Sequence, residues 1–106
     1  MNNENHILTT TSNVSKKVTP RSISDVVLKL NEEVGELSTE IGIKKGYIQN
    51  KTPGKDGITG EAIDAILCLI DIIYLDNPNL TPEEFDTIVN NKLNKSFCEK
   101  LVLFNS

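Results

Sequence analysis

GEAIDAILCLIDIIYL, residues 60–75, decides the fold. Ala62, Ile63, Ala65, Ile66, Leu67, Leu69, Ile70, Ile72, Ile73 and Tyr74 leave almost no polar face on a helix of 3.6 residues per turn. The spacing predicts a helix over about 60–75 that is covered on nearly all sides. Thr59 or Gly60 is its expected cap. Glu61, Asp64 and Asp71 interrupt it, and it is too short to span a bilayer. These three and Cys68 follow steps of three, four and three residues, so all four share one face.

To the N-terminal side, Lys44 to Thr59 is a polar, Lys-rich segment with Pro53, Gly54 and Gly57, which reads as a loop. Before it, Ile23, Val26, Val27, Leu30, Val34, Leu37 and Ile41 recur at helical steps from a cap at Ser22 or Ser24 to an end near Gly42 or Gly46. That apolar stripe is centred near Leu30 and Leu37, with Glu33, Glu36 and Glu40 on one flank and Glu32 further round. To the C-terminal side, Asn77-Pro78-Asn79 is a break. Thr81-Pro82-Glu83-Glu84 then opens a third helix with a capping box and Pro at its first position. Its apolar positions are Phe85, Ile88 or Val89, Leu93 and Phe97, and an apolar run closes the chain at residues 101–104. No period-two pattern appears outside that run, so the fold expected is all-α.

Residues 1–20 are rich in Asn, Thr and Ser around Ile7–Leu8. They read as a polar, mobile N-terminal arm, with one helical domain over 21–106. The chain has 106 residues and 38% hydrophobic content, enough for one small domain. The second helix is more apolar than two other helices can cover, so a bundle completed by a homodimer or homotetramer is expected. With two Cys lacking metal-knuckle spacing, no signal-peptide pattern and no apolar span, the expectation is a reduced, cytoplasmic protein. Membrane and nucleic acid are not expected partners at a net charge of −4. Acid is concentrated in the middle: residues 32–86 hold twelve acidic and four basic side chains.

A carboxylate inside a packed helix carries a desolvation cost unless it is paired or binds a cation. Cap and dipole roles account for Glu61 but not for Asp71. If the first two helices pack antiparallel, Glu33 and Glu36 face Glu61 and Asp64, a hard-oxygen set suited to Mg²⁺ or Mn²⁺. A di-iron bundle needs a Glu-x-x-His that is absent, since His6 is the only His. Ser or Cys nucleophile chemistry likewise lacks a His base.

Leu30-Asn31-Glu32-Glu33-Val34-Gly35-Glu36-Leu37 resembles the Glu-Glu-x-x-Glu signature of the MazG-like all-α nucleoside triphosphate pyrophosphohydrolases. Glu61-Ala62-Ile63-Asp64 is similar to their Glu-x-x-Asp signature, and residues 90–97, NNKLNKSF, to their Asn-x-Lys-Phe-x-x-Arg ending. The resemblance covers roughly residues 22–97. It implies Mg²⁺-dependent hydrolysis of a (d)NTP between the α- and β-phosphates. By resemblance, Glu33, Glu36, Glu61 and Asp64 are metal ligands, and Glu32, Glu33 and Glu36 belong to the catalytic signature. Asn90, Lys92 and Lys95 are the implied phosphate contacts. Lys95-Ser96 stands where the family has Arg, which loses bidentate phosphate geometry. Three alternatives stay open: a non-catalytic helical interaction module, a homologue that binds nucleotides without turnover, and a pyrophosphohydrolase of a modified or phosphoribosyl-linked nucleotide.

Overall fold

The computed structural model describes residues 3–18 and 20–97. A 3₁₀ turn at Asn3–Asn5 leads into four α-helices: α1 (Ile7–Ser15), α2 (Ile23–Lys44), α3 (Gly57–Asp76) and α4 (Pro82–Asn91). A π-type turn follows at Lys92–Phe97. There is no strand among the described residues, and none of their helices is long and apolar enough to cross a membrane. The apolar run at 101–104 and Cys98 lie outside the described residues.

Local chemistry sets the helix starts. The Ser22 hydroxyl accepts from the Asp25 N–H at 3.2 Å while the Asp25 carboxylate accepts from the Ser22 N–H at 3.0 Å. Thr81 and Glu84 build the same reciprocal pair, with Pro82 in the first turn of α4. α3 begins three residues earlier than its apolar pattern suggests. Gly57 takes φ +63°, a left-handed conformation open to glycine, and turns the loop directly into the helix.

α2 and α3 form the main packed pair, and α1 lies against α3. Arg21, just before α2, reaches Asp71 late in α3, while Glu33 in mid-α2 meets Glu61 and Asp64 early in α3. The two helices therefore run antiparallel. Leu8, Val26 and Ile70 are the buried apolar side chains among the described residues.

The polar arm expected at residues 1–20 contains α1, docked by polar contacts that composition does not encode. His6 caps it: Nδ1 accepts from the Leu8 N–H at 3.0 Å, so the Nε2 of the neutral ring carries the proton and donates to Asp86 Oδ1 at 2.8 Å. The same ring meets Phe85 edge-on at 5.3 Å. At the other end of α1, the Ser15 hydroxyl donates to Asp71.

Candidate metal centre

The polar face of α3 is turned toward α2. At the seam, carboxylate oxygens of Glu33, Glu61 and Asp64 lie within 4.8 Å of one another. Glu33 is the most enclosed, with its side chain 8% exposed. Its Oε1 receives the Lys29 ammonium at 3.2 Å, and its Oε2 is sealed from solvent without a hydrogen-bond partner. Glu61 Oε2 is sealed and unpartnered in the same way. A buried oxygen left in this state forfeits its hydration with nothing in return.

Charge crowding appears in the protonation of Glu61. Burial, then a side-chain hydrogen bond with Glu36, then the charges of Glu36, Asp64 and Glu33 push its carboxyl up to about 7. At neutral pH the cluster thus holds a proton part of the time, in a place where a cation would serve the same electrostatic end. Lys29 is shifted upward too, but by attraction: the Glu33 hydrogen bond and charge, with Glu32 adding to them, raise its ammonium above the ordinary lysine range.

Of the expected ligands, Glu33, Glu61 and Asp64 are brought together and Glu36 adjoins them from the exposed side of α2. Glu32 points outward and pairs with Lys29 at 3.5 Å. Asn90, Lys92 and Lys95 are exposed on α4 and the π-type turn, and α4 packs on α1. None of the hydrogen bonds or ion pairs among the described residues joins those three to the carboxylates.

Two features escaped the sequence reading. Lys29 stands four residues before Glu33, the spacing of a helical ion pair, and that signal was present in the sequence. Asp71, without an evident role in the sequence, is held by the one Arg of the chain: Arg21 Nε donates to Oδ2 at 3.0 Å and a terminal nitrogen to Oδ1. This pair floors an open cavity of about 470 Å³ between α1 and α3, walled by Val14, Val18 and Leu67. Beside it, Cys68 is half-buried. Burial and the Glu33 charge push its thiol up, away from the reactive thiolate form.

Glu33, Glu61 and Asp64 each bring a carboxylate oxygen to a cluster that could hold a hard divalent cation, and Glu33 and Glu61 each carry one sealed oxygen without a partner. Comparison with protein families, curated proteins and solved structures finds no match to this chain.

Proposed function

We propose that this chain is a Mg²⁺-dependent nucleoside triphosphate pyrophosphohydrolase that converts a (d)NTP to (d)NMP and pyrophosphate, working as a homodimer or homotetramer. One observation carries the reading. Glu33, whose Oε2 is sealed and unpartnered, brings a carboxylate oxygen within 4.8 Å of those of Glu61 and Asp64. A divalent cation would satisfy that arrangement. The resemblance of residues 30–37 and 61–64 to the MazG-like signatures adds the phosphate chemistry.

Glu33, Glu61 and Asp64 would hold the ion, with Glu36 completing the set from the open side. The chemistry such an ion (Mg²⁺, or Mn²⁺ in its place) would supply there is a clamp on phosphate oxygens and a lowered pKa for bound water. The chain's own part is to fix the ligands. Lys29 anchors one oxygen of Glu33 and leaves the other without a partner, free to serve an ion as ligands with outer partners do. Glu36, exposed and in contact with Glu61, would take a proton from water at the rim.

A second reading, a helical module without turnover, draws on the exposed Asn90, Lys92 and Lys95, which one copy of the chain leaves apart from the carboxylates. Pyrophosphate release from a panel of (d)NTPs with Mg²⁺ separates the two. The enzyme reading expects release from at least one nucleotide and a loss of 100-fold or more in Glu36→Gln. No release from any nucleotide sinks the enzyme, and equal release from both proteins sinks the site.

A further inference from the structure

The α2–α3 pair is built with acids in its seam and apolar side chains outside. Val27, Val34 and Ile41 of α2 are 38–45% exposed although α3 packs along the same helix. They are spaced seven residues apart. Ile23, Leu30 and Leu37 fall between them, so residues 23–41 step alternately by four and three. That is an unbroken heptad seam with β-branched residues at one core position and mostly Leu at the other, the combination that suits two helices side by side. The seam borders the surface α2 shows to α3 and shares Leu30 and Leu37 with it, both half-buried, while Ile23, Val27, Val34 and Ile41 stay exposed. Val26 and Glu33, one residue before Val27 and Val34, are buried, as is Gly42 just after Ile41.

The other border of the seam identifies what fits there. Ser24, Asn31 and Ser38 repeat at the same interval, all exposed, small and uncharged. Charged residues at such flanks set partner choice, and like charges there repel a second identical helix. An uncharged border on a chain this acidic removes that repulsion along one line only.

We propose that the outer seam of α2 is a self-association surface and that its occupant is α2 of a second copy of this chain, packed face to face about a two-fold axis. This names the surface for the assembly part of the functional reading and rests on neither the metal nor turnover. The carboxylate cluster lies on the neighbouring flank of the same helix, so pairing stiffens the element that carries Glu33 and Glu36 without covering them.

The test is sedimentation equilibrium of the whole chain at tens of micromolar, with circular dichroism on the same samples. Wild type is expected at twice 11.7 kDa or a multiple of it, and Val34→Glu at half the wild-type mass with its helicity kept. Leu28→Glu, an exposed apolar position off the seam, is expected at the wild-type mass. Where Val34→Glu alone unfolds, an equimolar mixture with Val34→Lys keeps the test readable, because complementary charges across the seam restore a folded pair. A one-chain mass for wild type overturns the proposal, as does an unchanged mass for a folded Val34→Glu or a mixture that stays unpaired. A monomer that still melts higher with Mg²⁺ would remove the surface and leave the metal site standing.

Discussion

Replacing Arg21 by Met tests whether the contact between the start of α2 and the end of α3 contributes to stability in proportion to its burial. Arg21 bonds both oxygens of Asp71, and the two side chains are 23% and 14% exposed. Met keeps the aliphatic bulk and removes the charge, so the loss is electrostatic rather than a cavity. Breaking one side of a fully buried pair costs about 3–5 kcal/mol, and the residual solvent contact brings that to about 2–3 kcal/mol here. The Ser15 hydroxyl still donates to Asp71, which keeps the value at the lower end. In a domain of this size each kcal/mol moves Tm by roughly 4–8 °C, so a fall on the order of 10–20 °C is expected. The assay is thermal melting by circular dichroism in EDTA near neutral pH, which takes metal binding out of the comparison. The double variant Arg21→Met/Asp71→Leu is expected to recover most of the loss, since the penalty comes from the stranded carboxylate. A fall under about 3 °C for the single variant, or a double variant no better than the single, refutes the reasoning.

Glu61 makes the metal-free protein sensitive to alkali. Folded, its carboxyl holds a proton up to about pH 7, whereas the unfolded chain releases it near 4.5; between those values the folded state binds more protons, so stability falls as pH rises. Melting in EDTA is expected to be higher at pH 5 than at pH 8, and Mg²⁺ is expected to raise Tm most at pH 8, where no proton competes. The opposite pH slope in EDTA, or no effect of Mg²⁺ at pH 8, contradicts the cluster as described. Thr81→Ala removes both bonds of the Thr81 hydroxyl, from the Glu84 N–H and to the Glu84 carboxylate, and should cost about 1 kcal/mol, a Tm loss of roughly 4–8 °C, with Thr81→Ser close to wild type. His6→Leu keeps the bulk against Phe85 but deletes the Leu8 cap and the Asp86 bond; amide exchange over residues 7–15 should quicken several-fold while that of α3 stays slow.

The helices with an apolar period and a chemical start signal were legible in the sequence. Ser22 opens α2 and Thr81 opens α4 at the positions their capping residues mark. The apolar positions of the third helix extend to Phe97, but it stays α-helical only to Asn91 and then widens into the π-type turn. Apolar spacing alone does not distinguish 3.6 residues per turn from a locally wider turn over six residues. α1 left no periodic trace because what holds it is a tertiary set of polar contacts, His6 with Asp86 and Ser15 with Asp71, between residues 80 and 56 positions apart. No local pattern carries that information.

The orientation of α2 was legible in part, and the missing part is physical. Period fixes which residues share a face but not which face meets which neighbour. With the stripe centred on Leu30 and Leu37, burying the stripe and exposing the carboxylates is the cheaper choice for α2 taken alone. α3 changes that choice. It brings Glu61, Asp64 and Asp71 on one side of an otherwise apolar helix, and that side needs partners that an apolar stripe cannot supply. Turning α2 so that Glu33 faces them gathers the acids where a single cation can neutralise several at once. It also leaves Val27, Val34 and Ile41 uncovered. Each half of that rotation is unfavourable for an isolated, metal-free chain, and each would be relieved by a different one of the proposed partners, an ion in the seam and a second copy outside it. Stability in the presence of Mg²⁺ and stability at rising protein concentration should therefore respond to different substitutions, Glu33→Gln for the first and Val34→Glu for the second.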